Sequence, residues 1–234
     1  MRRFGLIGHP IAHSGSPALF AEWCCGKWPY DLIEGADFEA SWQRFLNGYD
    51  AINITAPFKE AAFRKILETG VVEPEVREIG AINIAVKTKE GIKGYNSDWL
   101  GVRKLLQDNG IGPGSNVVAA GFGGAGRAAA AAARAGGCTV TVCNRSPKAP
   151  GIRPLEELPI LAAKADLVIY TLPFAIPETA AIAALAGKPG GPAVLEANYK
   201  DPCLADASLR YIPGTAWLRA QAETGFPLMA GQRQ

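Results

Sequence analysis

Between an apolar run, Asn116 to Ala120, and a long alanine-rich stretch that ends at Gly136, the chain reads Gly121-Phe122-Gly123-Gly124-Ala125-Gly126. Few folds tolerate that order. The run fits G-x-G-x-x-G, in which glycine makes the tight turn out of a strand, lets backbone N–H groups approach a pyrophosphate, and allows a helix to pack close on the sheet. Strand, loop and helix in register predict the opening βα unit of a parallel, doubly wound sheet. An anion would rest at the positive end of the helix that starts near Ala125. Gly121, Gly123, Gly124, Ala125 and Gly126 are therefore the candidate dinucleotide cradle.

The segments that follow keep the pattern. Thr139 to Cys143, Asp166 to Thr171 and Ala193 to Ala197 read as strands, and the alanine-rich stretches between them as crossover helices. About 20 residues beyond such a glycine loop, an NAD site places an acid on the ribose 2′-hydroxyl. Here the second strand runs instead into Asn144-Arg145-Ser146-Pro147-Lys148. With no carboxylate to repel it, a 2′-phosphate can be held by the Arg145 guanidinium, the Ser146 hydroxyl and the Lys148 ammonium, beside Asn144. The expected cofactor is NADP, reduced or oxidised.

The first half alternates in the same way. Phe4 to Gly8, Tyr30 to Ile33 and Asp50 to Thr55 read as strands. The expected helices are Ala18 to Cys25, with Ser16 as N-cap and Pro17 at its first position, Phe38 to Asn47, and Lys59 to Thr69. Ala81 to Lys87 and Gly91 to Tyr95 make a hairpin-like pair about Lys89-Glu90-Gly91. Trp99 to Asn109 is a helix stopped at Gly110, before the break at Gly112-Pro113-Gly114. These readings predict an α/β chain of two domains: an N-terminal α/β substrate-binding domain over residues 1–101 and a Rossmann-like, doubly wound NADP-binding domain over 102–214. The final segment, 215–234, with a short helix over Trp217 to Thr224, is expected to pack back on the first domain.

Bulk properties narrow the function classes. In 234 residues, 48% hydrophobic and 20% charged, the formal net charge is +2 with no run of like charge. Nothing in that balance points to nucleic acid or a membrane surface. MRRFGLIGHP has too short an apolar stretch for a signal peptide, and no segment approaches the roughly 20 apolar residues of a membrane helix. The five cysteines, Cys24, Cys25, Cys138, Cys143 and Cys203, lack C-x-x-C spacing. No disulfide framework or metal site is expected, and the adjacent Cys24-Cys25 reads as buried thiols. The expected setting is the cytoplasm, with a small-molecule substrate as partner and a monomer or homodimer as the assembly.

Four polar clusters fall at the ends of the first-half strands, where open α/β sheets bind ligands. They are His13-Ser14-Gly15-Ser16-Pro17, Asn53-Ile54-Thr55-Ala56-Pro57-Phe58-Lys59-Glu60, Gly80-Ala81-Ile82-Asn83 and Gly94-Tyr95-Asn96-Ser97-Asp98. In order and spacing, and with the glycine loop and Asn144-Arg145 after them, these segments resemble the shikimate dehydrogenase family. The resemblance runs from residue 5 to about 148 and resumes at Tyr199 and at Gly214 to Phe226. It implies NADP-dependent, reversible reduction of 3-dehydroshikimate to shikimate. Ser14 and Ser16 would bind the substrate carboxylate, Lys59 and Asp98 would meet the reacting hydroxyl, and Thr55 and Asn83 would hold ring hydroxyls. Tyr199 and Gln221 would close over the substrate, and Thr171 would border the nicotinamide.

The chemistry agrees with those assignments. Reducing a ring ketone requires a hydride and a proton for the forming alkoxide. A lysine ammonium stabilises the developing charge and delivers the proton, and a carboxylate fixes its direction. Taken singly, Lys59 reads as a solvated helix-start lysine and Asp98 as the cap of the helix at Trp99. His13 beside two serines suggests a hydrolase triad, but G-x-S-x-G is missing and His13 is assigned a structural part.

Departures from the family pattern are Ala56, Ile84 and Ser97, the segment Tyr170-Thr171-Leu172-Pro173-Phe174-Ala175, and a short C-terminal region. The first three are expected to reshape the pocket. Quinate/shikimate and aminoshikimate dehydrogenases share the same motifs and are the rival enzyme readings. A catalytically idle NADP-binding sensor is the rival outside enzymes, and retention of both Lys59 and Asp98 argues against it.

Overall fold

The computed structural model describes residues 1–146, 150–205 and 210–231, so Lys148 lies outside the described residues. The chain divides into two compact units, Met1–Leu100 with Gln221–Gln234, and Gly101–Ala220. The first contains β1 (Phe4–Gly8), α1 (Ser16–Trp23), β2 (Tyr30–Glu34), α2 (Phe38–Gly48), β3 (Ala51–Ile54), α3 (Lys59–Thr69), β4 (Val71–Val72), α4 (Pro74–Ile79), β5 (Ile84–Thr88) and β6 (Gly91–Tyr95), and α5 (Ser97–Asp108) begins in it. Its six strands lie in the order β2-β1-β3-β5-β6-β4. All neighbours are parallel except β3 with β5 and β5 with β6. The hairpin forms where the sequence places it, with Thr88 opposite Gly91.

β1 is buried along its whole length, which is why it reads as an uninterrupted apolar run rather than an alternating one. Asp37 starts α2 by accepting a hydrogen bond from the Ala40 amide at 2.7 Å. α1 departs from expectation. It begins at Ser16 with Gly15 as N-cap and no side-chain cap, because the Ser14 hydroxyl donates to Ser16 Oγ at 3.1 Å and accepts from Ser16 N at 3.2 Å. The serine pair thus forms a turn of its own ahead of the helix. The expectation of buried thiols at Cys24-Cys25 also fails. α1 stops at Trp23, the chain turns through Cys25 at φ 51° and Gly26 at φ 68°, and this turn leaves Cys24 half-buried and Cys25 exposed.

In the second unit β7 (Asn116–Ala120), α6 (Gly124–Ala135), β8 (Thr139–Cys143), β9 (Ile152–Arg153), α7 (Leu158–Ala162), β10 (Leu167–Tyr170), α8 (Thr179–Ala186), β11 (Ala193–Glu196) and β12 (Tyr211–Ile212) build a sheet in the order β12-β11-β10-β7-β8-β9. Every neighbouring pair is parallel. Ala128 to Ala133 of α6 are all buried. Side chains this small leave little to separate the helix from the sheet beneath it.

α9 (Gly214–Met229) starts in the second unit and from Gln221 onward belongs to the first. There Ala222, Phe226 and Met229 pack with Phe4, Phe20, Ala51, Ile84 and Val86. Burying the larger of these side chains contributes roughly 1.5–3 kcal/mol each. Arg2 donates to the carbonyls of Met229 at 3.1 Å and Ala230 at 2.7 Å, satisfying acceptors at the end of the helix. The helix outruns its expected span because Gly225 is a point of close packing rather than a stop: a Cβ there would lie 2.7 Å from Ile84 Cδ1. Among the described residues no helix is long and apolar enough to cross a membrane.

Candidate active site

In the first sheet the chain leaves β1 toward β2 on one side and returns to β3 on the other. Such a reversal opens a crevice at the carboxyl ends of the two strands. The Ser14–Ser16 turn follows β1, and Thr55 and Lys59 follow β3. β6 runs parallel to β3, and antiparallel β5 enters from the same edge, with Ile84 opposite both Asn53 and Tyr95. Asn83 just before β5 and Asn96 to Asp98 just after β6 therefore join the same rim.

At that rim Lys59 Nζ lies 2.6 Å from Asp98 Oδ2. The lysine side chain is 22% exposed and the aspartate 7%. Asp98 is not the helix cap: Asn96 Oδ1 accepts from Trp99 N at 3.0 Å, and α5 starts at Ser97. With Asn96 capping, the Asp98 carboxylate is left for Lys59 and sits at the positive end of α5. Lys59, the first residue of α3, is tied to the neighbouring loop where Ile82 N donates to its carbonyl at 3.1 Å. Its ammonium faces a buried carboxylate instead of open water.

A chain of hydrogen bonds extends along the rim from the serine pair. The Tyr30 hydroxyl bonds Ser16 and donates to Asn53 Oδ1 at 2.7 Å. The Asn53 amide donates to the Asn83 carbonyl at 3.4 Å. Asn83, 4% exposed, accepts from Ser97 N at 2.7 Å and donates to Ser97 Oγ at 3.1 Å and Gln221 Oε1 at 3.5 Å. Serine at position 97 thus completes a two-point clamp on Asn83. Ile84, by contrast, is buried in the core against α9. Thr55 turns its methyl onto Gly8, where a Cβ would overlap it.

Asn53 and Asn96 lie inside the polar clusters without a part assigned to them there, Tyr30 lies outside the clusters, and the structure gives all three a place at the rim. Burial pushes the Tyr30 phenol far above its ordinary range, and the Ser16 hydrogen bond offsets part of that rise. An acid whose pKa is raised on folding keeps a proton that the unfolded chain releases. Stability is therefore full below the unfolded pKa and falls as pH rises past about 10. In urea titrations from about pH 9 to 11 the midpoint is expected to fall less steeply in Tyr30→Phe than in the parent. Equal slopes would show that Tyr30 does not titrate in this way.

In the second unit the glycine loop follows β7, where the order reverses between β8 and β10. The two ends of the motif are closed by packing. Gly121 has φ 101°, and a Cβ on it would overlap Thr171 Oγ1; a Cβ on Gly126 would overlap the Gly121 carbonyl oxygen. Gly123, the N-cap of α6, has nothing within 4 Å of a Cβ. Open space thus lies over the residue at the helix N-terminus, beside Gly124 and Ala125, and no acidic side chain stands in the first turn. A pyrophosphate fits that cradle. Thr171 donates to the Ala120 carbonyl at 2.8 Å and packs under the loop, so its hydroxyl shapes the cradle.

Asn144 receives the end of β8, its amide donating to the Ser146 carbonyl at 3.1 Å, while Arg145 and Ser146 are exposed. Tyr170 turns its hydroxyl to the Phe174 carbonyl at 2.8 Å and to Thr179 Oγ1 at 3.2 Å, which organises the atypical segment after β10. Tyr199 stands 37% exposed on the loop after β11. Of the sequence-derived candidates, the first unit brings together Ser14, Ser16, Thr55, Lys59, Asn83, Asp98 and Gln221, and the second brings together the glycine loop and Thr171.

Residues 6–85 match the family model for the shikimate dehydrogenase substrate binding domain. The shikimate dehydrogenase (NADP(+)) of Acidiphilium cryptum is 38% identical over 154 residues, 63% of this chain but only 55% of that relative's length. That of an Anaeromyxobacter species is 27% identical over 266 residues, covering 98% of this chain and 91% of the relative. The Thermus thermophilus shikimate 5-dehydrogenase structure in complex with NADP(H) and shikimate superposes with a TM-score of 0.81 at 28% identity, covering 99% of this chain and 94% of that one. From the sheet-edge motifs through the glycine loop to these matches, the chain is similar to shikimate dehydrogenases, by the family model over residues 6–85 and by fold over nearly its whole length.

Proposed function

We propose that the protein catalyses the NADP-dependent, reversible reduction of 3-dehydroshikimate to shikimate in the cytoplasm, with residues 1–101 binding the substrate and 102–214 the cofactor. The observation that carries this reading is the Lys59–Asp98 pair, 2.6 Å apart on the same sheet edge as the serine pair. Ser14 and Ser16 turn their hydroxyl protons to the substrate carboxylate, and Thr55, Asn83, Gln221 and Tyr199 orient the ring. Such a site rejects analogues that leave its polar groups unpaired. The nicotinamide, when bound, exchanges the hydride with the ring carbon.

Lys59 lies where the forming alkoxide gains its proton, and Asp98 keeps the ammonium aimed there. In the oxidation direction the neutral Lys59 amine accepts the proton of the substrate hydroxyl. Gly121 to Gly126 receive the pyrophosphate, and Arg145, Ser146 and Lys148 the 2′-phosphate, beside Asn144. Arg145→Ala is expected to raise the KM for NADP about tenfold, the size of one charge-assisted bond, and to leave the KM for NAD unchanged. Equal changes for both cofactors would remove Arg145 from 2′-phosphate binding. The activity itself is tested by following reduced-nicotinamide absorbance with shikimate, quinate or aminoshikimate and NADP or NAD. Fastest turnover with shikimate and NADP is expected, and no turnover with any pair would refute the enzymatic reading.

A further inference from the structure

Glu196, the last residue of β11, is 0% exposed. A carboxylate is seldom buried this completely and persists only with partners. Its Oε1 accepts from Cys203 N at 2.5 Å, and its Oε2 from Leu204 N at 3.1 Å and from the Tyr211 hydroxyl at 2.8 Å. All three partners donate, so the side chain they enclose must accept throughout. Two of them are backbone amides seven and eight residues ahead. The carboxylate therefore draws the chain back onto the strand it has just left and closes the loop that carries Tyr199.

Two further ties hold the same loop. Asn198 Oδ1 accepts from Lys200 N at 3.2 Å and Asp201 N at 3.3 Å, and its amide donates to the Asp201 carbonyl at 2.6 Å. At its base, Gly214 allows α9 to approach so closely that a Cβ would lie 2.8 Å from the Ala197 carbonyl oxygen. Tyr199, at 37% exposed, is the loop's large exposed aromatic. A contact residue held this way loses little further freedom when ligand binds, which lowers the cost of binding.

We propose that Glu196 is a positioning residue: it touches no substrate and acts by holding the Tyr199 loop in its binding conformation. This rests on the reading of Tyr199 as a substrate contact. In Glu196→Gln one carboxyl oxygen becomes an NH2 group, which leaves at least one of the three donors without an acceptor.

The test is a double-mutant cycle on the full chain, with shikimate KM, kcat and melting temperature measured for Glu196→Gln, Tyr199→Ala and the pair. Tyr199→Ala and Glu196→Gln are each expected to raise KM about tenfold and change kcat less than about threefold, the scale of a displaced binding group. In the Tyr199→Ala background Glu196→Gln is expected to raise KM less than about twofold more, the mark of two residues acting as one. Tyr211→Phe, which removes one donor, gives the same cycle at about threefold and serves if Glu196→Gln does not fold. A Tyr199→Ala effect without a Glu196 or Tyr211 effect, or with an independent one, overturns the positioning role alone. No KM change in Tyr199→Ala overturns the substrate contact at Tyr199 and the positioning role with it.

Discussion

Replacing Lys59 with alanine is expected to lower kcat about 10²- to 10⁴-fold, the range of a positioned acid–base group. Substrate KM should change by less than about fivefold, because the lost interaction belongs to the transition state. Charge appears on the substrate oxygen only as the hydride moves, so the ammonium matters most at that moment. Asp98→Asn keeps a group of the same size beside Lys59 Nζ but removes the charge that directs it. It should lower kcat by a comparable factor, and the double variant should be little worse than either single one, since the pair acts as a unit.

The same variant has a structural cost that must be kept apart from the kinetic one. Asp98 is 5% exposed with Lys59 in place, and without Lys59 its carboxylate still has the positive end of α5 near it. Losing one partner of a wholly buried pair costs about 3–5 kcal/mol. Partial exposure of Lys59 and the helix end reduce that to about 1–2 kcal/mol. Assays well below the melting transition therefore isolate the chemical effect. An unchanged kcat in Lys59→Ala would remove the residue from the mechanism.

The second large effect separates two glycines of one motif. Gly126→Ala is expected to destabilise the second unit by about 1–3 kcal/mol or more, as overpacking does. Its Cβ would overlap the Gly121 carbonyl oxygen and lie 3.0 Å from Thr171 Oγ1, and neither backbone nor a packed threonine yields easily. Gly123→Ala meets nothing within 4 Å and should melt within about 1 kcal/mol of the parent. What it removes is space for the ligand: NADP affinity is expected to fall about tenfold or more as the methyl occupies the approach to the helix N-terminus. Calorimetry and cofactor titration on both variants check this. Loss of stability in Gly123→Ala, or loss of affinity without loss of stability in Gly126→Ala, would reverse the two assignments.

How much of this was legible beforehand differs from element to element. The strands that flank the glycine loop and the β5–β6 hairpin stand where period and turn residues place them, because buried parallel strands are long apolar runs and Gly91 closes its turn at φ 119°. β4, β9 and β12 have two residues each, too short for any period to show. The start of α1 differs from expectation because Ser16 suits a helix cap equally well, and only the neighbouring Ser14 hydroxyl decides against it. Cys24-Cys25 are less buried than their residue type suggests, because no local pattern marks the turn that ends α1 before them.

For the site, residue types and their order within short segments were enough to nominate Lys59, Asp98, Ser14, Ser16 and the glycines. Each nomination used only neighbours along the chain. Lys59 and Asp98 are separated by 39 positions, and singly they look like a solvated lysine and a helix cap. Their meeting depends on β3 and β6 ending at the same sheet edge and on Asn96 taking over the cap. The involvement of Tyr30, Asn53 and Glu196 depends likewise on contacts no local pattern encodes. Backbone preference and hydrophobic period act over a few residues and are written in the sequence itself. Partner, burial and hydrogen-bond direction arise only when distant segments pack, and those decided which of the nominated groups face one another.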